Sequence, residues 1–234
     1  MEDDAPGGFS DLTQCYRLFS PSYKVGDATK AGRFNAGEKF VLALCDEVRV
    51  TSTTGTVLFD DSGRRTGRTR TERGTYFEAV LKLTGGEADD LQETARRLVV
   101  PEGVTLTFNG EVLVARTPKA VLRLSLPTEV ADDEGVLRRV QRTAEVGVYE
   151  TTGNGWIYEL GMPVMETGDT WDVDVRQKVP LTLDRENVTE AFKRALAVAA
   201  FNALHQDLKG EAMQATWVKT AAEHPDAAPE AVKD

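Results

Sequence analysis

The sequence predicts an α+β chain in two domains, and three observations carry that expectation. Stretches such as Glu47 to Ser52 and Thr75 to Leu83 alternate apolar and polar residues with period two, as half-buried strands do. Others, such as Leu91, Ala95 and Leu98 within Glu87 to Val99, place apolar residues at helical spacing. Pro101 then divides a first mixed region from a second, and 234 residues suffice for one large or two small domains of roughly 100–200 residues each.

The elements follow in order. The first thirty-odd residues are rich in Gly, Pro, Ser, Asp and Lys and read as loop, with one short helix around Asp11 to Phe19. A helix starts near Asn35 and carries Phe40, Val41 and Leu44 on one face. Strands are expected at Glu47 to Ser52, Thr56 to Phe59, Arg64 to Arg73 and Thr75 to Leu83. After the Glu87 to Val99 helix come strands at Val104 to Phe108, Glu111 to Ala115 and Ala120 to Leu126, with Asn109-Gly110 as a hairpin turn. Leu137 to Thr143 is ambiguous. Val146 to Glu150 and Trp156 to Leu160 read as a hairpin, and Asp172 to Thr182 as a further strand. Asn187 to Leu208 is the longest helix, with Asn187 placed to cap it. Residues 209–234, rich in Ala, Glu, Asp, Pro and Lys, read as a flexible tail. The domain boundaries expected are 1–86, a linker helix at 87–100, 101–208, and that tail.

Composition narrows the function classes. A formal net charge of −10 opposes tight non-specific binding to nucleic acid and to anionic lipid. No apolar run approaches the ~18 residues of a membrane span, and the acidic start Met1-Glu2-Asp3-Asp4 is unlike a signal peptide, so the expected location is cytoplasmic. Two cysteines without Cys-x-x-Cys spacing and two late histidines disfavour a zinc site, a disulfide framework and Ser-His or Cys-His catalysis.

Four short segments, in order, carry the functional signal. They are Asp3 to Gly8, the loop Leu18 to Ala31, the turn Gly32-Arg33-Phe34-Asn35-Ala36-Gly37-Glu38-Lys39, and Gly74-Thr75. A glycine-containing turn ahead of a helix can aim backbone N–H groups at phosphate oxygens, with the helix dipole adding positive charge. Lys24, Lys30, Arg33 and Lys39 lie close enough in sequence to add countercharge; the plain alternative is a surface loop with ordinary lysines. Gly32 and Gly37 have Walker A spacing, but Glu38-Lys39 stands where that motif needs Lys and Ser or Thr.

Together the segments resemble the GHKL superfamily (gyrase, heat-shock chaperone, histidine kinase, MutL) over residues 1–83. Asp3-x-Ala5-x-Gly7 resembles its Asp-x-Gly-x-Gly motif, whose aspartate accepts a hydrogen bond from the adenine amino group. Leu18 to Ala31 is similar to its ATP lid, and Gly32 to Lys39 to its Gly-x-x-Gly-x-Gly box. Gly74-Thr75 resembles its late Gly-Thr, whose hydroxyl supports adenine through water. Ala5 and Asn35 replace two of the family's glycines, and Glu38 adds an unusual negative charge. The resemblance implies the C-terminal part of a Bergerat-type ATP-binding α/β sandwich, followed by a ribosomal S5 domain 2-like transducer domain. It implies ATP as ligand and Mg²⁺ as its companion. Asp3, Gly7, Lys24, Lys30, Gly32, Phe34, Asn35, Ala36, Gly37, Lys39 and Thr75 are the nucleotide-site candidates.

Relatives carry the general-base glutamate and the Mg²⁺-binding asparagine ahead of the aspartate motif. Only two residues precede Asp3, so neither group is expected from this chain, and hydrolysis is expected only if that helix is supplied. In the second region, Gln177 to Glu186 resembles the loop that sends a basic residue to the terminal phosphate. Arg185 is the first candidate and Lys178 the second; an ion pair of Arg185 with Asp184 or Glu190 is the alternative. The function implied is ATP binding coupled to a domain rearrangement. The rivals are a non-catalytic interaction module that docks a protein partner, and one half of a split ATPase completed by a second polypeptide.

Three further features have ordinary readings. Arg64, Arg65, Arg68, Arg70 and Arg73 suit a charged edge strand more than a nucleic-acid track. Trp156, Tyr158 and Trp171 suit packing. Asp169, Asp172 and Asp174 lack Ca²⁺-loop spacing and read as exposed aspartates alternating along a strand.

Overall fold

A computed structural model describes residues 1–18, 24, 26–32, 37–132, 134, 136–151, 153–181 and 188–233. The chain is α+β and divides into two compact units. The first contains residues 1–25 and 32–90, and the second residues 26–31 and 91–234. The division between residues 90 and 91 falls inside a helix, and residues 26–31 of the lid-like segment pack with the second unit.

The first unit is built on a five-stranded antiparallel sheet in the order β1-β5-β2-β3-β4. The strands are β1 (Glu2–Asp3), β2 (Glu47–Ser52), β3 (Gly55–Asp60), β4 (Gly63–Gly67) and β5 (Thr75–Val80). Alternation puts Val48 and Val50 of β2 on one face, beside Phe77 and Ala79 of β5. Phe9, Leu12, Cys15, Tyr16 and Leu42 cover that face. Leu42 comes from helix α1 (Gly37–Leu44), and Leu12 and Cys15 from a 3₁₀ turn (Leu12–Cys15) capped by the Asp11 side chain. Full burial of each valine is worth about 1.5–3 kcal/mol. The other face carries Arg49 between Glu47 and Glu78. The helix read around Asp11 to Phe19 therefore contracts to one 3₁₀ turn, and the Arg-rich strand to the fully exposed β4.

Helix α2 (Gly85–Arg97) begins with a capping box. The Thr84 N–H and hydroxyl donate to the Glu87 carboxylate, and the Glu87 N–H donates back to the Thr84 hydroxyl. These bonds hold the Glu87 carboxyl below its usual pKa. Arg96 and Arg97 in the last turn face the negative end of the helix dipole.

The second unit holds a small hairpin, β6 (Leu106–Phe108) and β7 (Glu111–Leu113), and a larger mixed sheet. The larger sheet contains β8 (Ala120–Ala131), β9 (Leu137–Glu150), β10 (Trp156–Glu159), β11 (Met162–Glu166) and β12 (Trp171–Val175), in the order β11-β10-β12-β9-β8. The ambiguous stretch from Leu137 is the first half of β9, paired along its length with β8. The expected β9–β10 hairpin does not form: β12 lies between the two, antiparallel to β9 and parallel to β10. Gly155 allows this. A Cβ there would sit 2.2 Å from the Trp171 carbonyl oxygen, so only glycine lets the backbones approach.

One face of this sheet presents Val146, Val148, Ile157, Val173 and Val175 to helix α3 (Glu190–Leu204), whose Phe192, Leu196, Phe201 and Leu204 complete the core. Thr189 is the N-cap of α3; Asn187, the expected cap, lies outside the described residues. The tail is not irregular. Helices α4 (Thr216–Ala222) and α5 (Pro229–Lys233) form there and bury Val218, Ala221 and Ala231 in the same core. Their small residues give weak periodicity, which is why the sequence hides them.

Candidate nucleotide site

In the first unit the two ends of the nucleotide signal meet. Asp3 of β1 is the register partner of Thr75 of β5, and Ser52 of β2 is the partner of Thr75 on its other side. Directly opposed residues share a sheet face, so the carboxylate and two hydroxyls stand in one row. Thr75 is buried, with its Oγ1 3.1 Å from Ser52 Oγ. Ser52 Oγ also accepts from the Phe9 N–H at 2.7 Å, which fixes the hydroxyl pair. Asp3 Oδ1 accepts from the Ala5 N–H at 3.0 Å, and Oδ2 has no hydrogen bond among the described residues. A carboxylate with one tethered and one uncommitted oxygen suits recognition of an amino donor.

Two positive-φ glycines close the backbone around this row. Gly74 (φ +66°) passes so near β1 that a Cβ would lie 1.8 Å from the Asp3 carbonyl oxygen. Gly8 (φ +51°) would meet Ser52 Oγ at 2.4 Å. Gly7 has open space where a side chain would be, and its carbonyl accepts from Thr53 Oγ1 at 2.7 Å. The expected candidates Asp3, Gly7 and Thr75 lie together here with Gly8 of the same segment, and Ser52, which the sequence reading does not single out, lies beside them. The signal for Ser52 was available, because a serine continues the inward row Val48, Val50 of an alternating strand.

The glycine box is only partly described. Phe34, Asn35 and Ala36 lie outside the described residues. Gly32 is exposed with φ +95° and open space around it, and Gly37 is the first residue of α1. Lys39 does not stand out as surface countercharge: it is buried, 6% exposed. Lys24 is exposed.

The remaining candidates belong to the second unit. Lys30 is exposed and lies 3.4 Å from Asp27, whose carboxyl is held down at about 2, chiefly by hydrogen bonds from Thr29. Lys178 is fully buried, its N–H donating to the Ala28 carbonyl at 2.7 Å and its carbonyl accepting from Thr128 Oγ1 at 2.7 Å. That clasp holds residues 26–31 against the second unit. Arg185 lies outside the described residues. Among the described residues no group of three or more His, Cys, Asp or Glu side chains is arranged to hold a metal.

The ordinary readings fare unevenly. Arg64 stacks over Tyr16 at 3.9 Å, Arg65 bonds Asp60, and Arg73 bonds Asp4 at 2.8 Å, so these guanidiniums are engaged within the chain. Tyr158 and Trp171 are buried. The exposed-aspartate reading is wrong for two residues: Asp172 and Asp174 are 3% and 4% exposed. Arg116 and the N–H groups of Trp156 and Gly161, remote in sequence, compensate them. No helix of the described residues is long and apolar enough to cross a membrane.

Comparison with known proteins leaves the site to stand on its own geometry. No protein-family model and no curated protein matches the chain.

Proposed function

We propose that the chain is an ATP-binding protein of the GHKL type that couples nucleotide binding to a rearrangement of its units. The observation that carries this is the register pairing of Asp3 with Thr75, buttressed by Ser52 and closed by Gly8 and Gly74. Asp3 Oδ2 accepts the adenine amino hydrogen, and the Thr75 hydroxyl supports the same edge through water. Gly32, Asn35, Ala36 and Gly37 are the proposed backbone contacts to phosphate ahead of α1, by the resemblance of this stretch to the family's glycine box. Lys24 adds exposed positive charge in the same unit, and the sequence resemblance alone supports Lys30, Arg185 and the buried Lys178 as phosphate contacts. Mg²⁺ arrives with the triphosphate. In this reading the first unit is part of a Bergerat-type sandwich and the second an S5-like transducer.

One observation favours a second reading. Lys39 and Lys178 are both buried, so two of the intended phosphate ligands are withdrawn from solvent. A fold kept for docking a protein partner, without nucleotide, would tolerate that. Calorimetric titration of the full chain with ATP and Mg²⁺ separates the two. The nucleotide reading expects saturable binding with Kd in the range of about 10 µM to 1 mM. Absence of heat and of chemical-shift change at millimolar ATP would favour the docking module.

A further inference from the structure

The face of the second unit's sheet opposite α3 carries chemistry that nucleotide binding leaves unused. Tyr149, Tyr158, Asp172 and Asp174 alternate with the core valines and point away from α3, where Val99 packs over the two tyrosines. On this side lies an open cleft of about 510 Å³, lined from α2, β11, β12 and the chain between β9 and β10. That volume falls among small-molecule sites, which span roughly 300–1,000 Å³. All of its lining residues belong to the second unit.

The floor is fixed and neutralised. Asp172 is 3% exposed; its Oδ2 accepts from Arg116 at 2.7 Å and its Oδ1 from the Trp156 N–H at 2.9 Å. Arg116 also donates to the Glu150 carbonyl at 2.5 Å and lies over the Tyr149 ring. The Tyr158 hydroxyl, 3.5 Å from Asp172, keeps its proton, because burial and the Asp172 charge push its pKa to about 12. It is therefore a neutral donor at the bottom of the cleft.

The walls hold three guanidiniums and four carboxylates, and most are paired within the chain. Arg97 bonds Glu93 and stacks 4.9 Å over Trp156, Arg116 holds Asp172, and Lys119 holds Glu150 at 2.9 Å. Two charges remain. Among the described residues, Arg96 on α2 has no ion pair and the Glu166 carboxylate on β11 accepts only from the neutral Asn154 amide. Arg96 and Glu166 do not pair with each other, so their charged atoms stand more than 4.0 Å apart in one cleft. Four carboxylates disfavour a phosphate dianion, and Arg96 disfavours a simple cation. A ligand carrying one charge of each sign satisfies both residues at once. A cleft of about 510 Å³ leaves room for more than a single amino acid, so a di- or tripeptide can present its two charged termini to these two residues.

We infer that this cleft binds a small zwitterion of the unblocked di- or tripeptide class, with Arg96 taking the carboxylate and Glu166 the ammonium. The inference is independent of the nucleotide reading, since it uses the second unit alone. Its test is NMR titration of the ¹⁵N-labelled full chain, following the indole N–H of Trp156 beneath Arg97. The probes are alanyl-alanine, its N-acetyl and C-amide forms, free alanine, and inorganic phosphate. Alanyl-alanine is expected to shift that resonance saturably at millimolar concentration. Blocking either terminus should weaken binding at least about 5-fold, as should Arg96→Gln or Glu166→Gln, since each removes a charge-assisted hydrogen bond. Both side chains are exposed, so the variants keep the fold, which their unchanged amide spectra would show. Free alanine should bind more weakly than the dipeptide. The inference is overturned if alanyl-alanine gives no shift at about 20 mM, a concentration that would reveal even weak binding. It is also overturned if the blocked forms or both variants bind as well as the parent pair, or if phosphate alone gives the same perturbation.

Discussion

Asp3 faces Thr75 across the β1–β5 ladder, while Thr75 shares its hydroxyl contact with Ser52 on the neighbouring strand. This row predicts how nucleotide affinity responds to substitution. In the proposed nucleotide reading, Asp3→Ala removes the carboxylate that would accept the adenine amino hydrogen and should weaken ATP binding by about 10-fold to 100-fold, as loss of a charged hydrogen bond worth about 1.5–3 kcal/mol implies. Thr75→Val removes a hydroxyl that acts through water and should cost less, under about 10-fold. Thr75→Ser should restore most of the loss. Calorimetry on the four proteins checks the order; equal affinity across them would remove adenine from this row.

The two glycines beside that row should behave oppositely. Gly74 has φ +66°, and a Cβ would collide with the Asp3 carbonyl oxygen, which is backbone and cannot yield without parting β1 from β5. Gly74→Ala should therefore destabilise the first unit by at least about 2 kcal/mol. Gly7 has nothing within 4 Å of the position a Cβ would take, so Gly7→Ala should leave stability within about 0.5 kcal/mol. Urea unfolding of both variants, followed by the far-ultraviolet signal, measures the contrast. A tolerated Gly74→Ala would mean that β1 does not pair as described.

The pairing of Asp3 with Thr75 is anticipated in the sequence only through the resemblance of the Asp3 and Gly74-Thr75 segments to ordered motifs, since nothing local links residues so far apart. Element types were readable for a local reason: β2, β5 and α2 carry unbroken period-two or helical patterns. Strand order in the second unit was not. Neighbours in sequence usually pair, which predicts Trp156 to Leu160 as the partner of Val146 to Glu150. The deciding contact, Gly155 against the Trp171 backbone, is visible only in three dimensions. Asp172 and Asp174 were misread for the same kind of reason. Alternation shows that they share a face, but not that Arg116 and Gly161 come from elsewhere to satisfy them there.

Asp174 gives a prediction with a definite sign. Burial raises its carboxyl above the ordinary 3.8, against the lowering effects of the Gly161 N–H and Arg176. A folded-state pKa raised above the unfolded value means stability that is complete below the unfolded pKa and declines as pH rises through the folded one. Asp174→Asn keeps an oxygen for the Gly161 N–H, bonded at 2.8 Å, and cannot ionise. The stability of the variant relative to the parent should therefore improve as pH rises from about 3 toward 7, flattening once the Asp174 carboxyl has ionised. Denaturant midpoints at a series of pH values test this. A relative stability that falls with rising pH would show that the carboxylate charge is favoured in this position.

Tyr158 should set the alkaline limit of the second unit. Its ring is 1% exposed and its pKa is pushed from the ordinary 10.0 up to about 12, first by burial and next by the Asp172 charge, with Arg116 opposing both. Between those two values the unfolded chain has released the phenolic proton and the folded chain has not. The unfolded state binds fewer protons there, so stability falls as pH rises through that window and is fully present below it. A shift of this size corresponds to about 2–3 kcal/mol. Tyr158→Phe removes the titrating group at little cost in volume, so its stability should fall less over the window than that of the parent. The variant loses only a long, 3.5 Å hydrogen bond to Asp172, which retains Arg116 and the Trp156 N–H. It should therefore remain folded at neutral pH with its denaturant midpoint lowered modestly. Phenolate absorbance during alkaline titration supplies the direct reading: one tyrosine of the parent should ionise late and together with unfolding, and that late step should be missing from Tyr158→Phe. If all tyrosines of the parent ionise near 10 while the fold persists, the ring does not sit beneath the cleft beside Asp172.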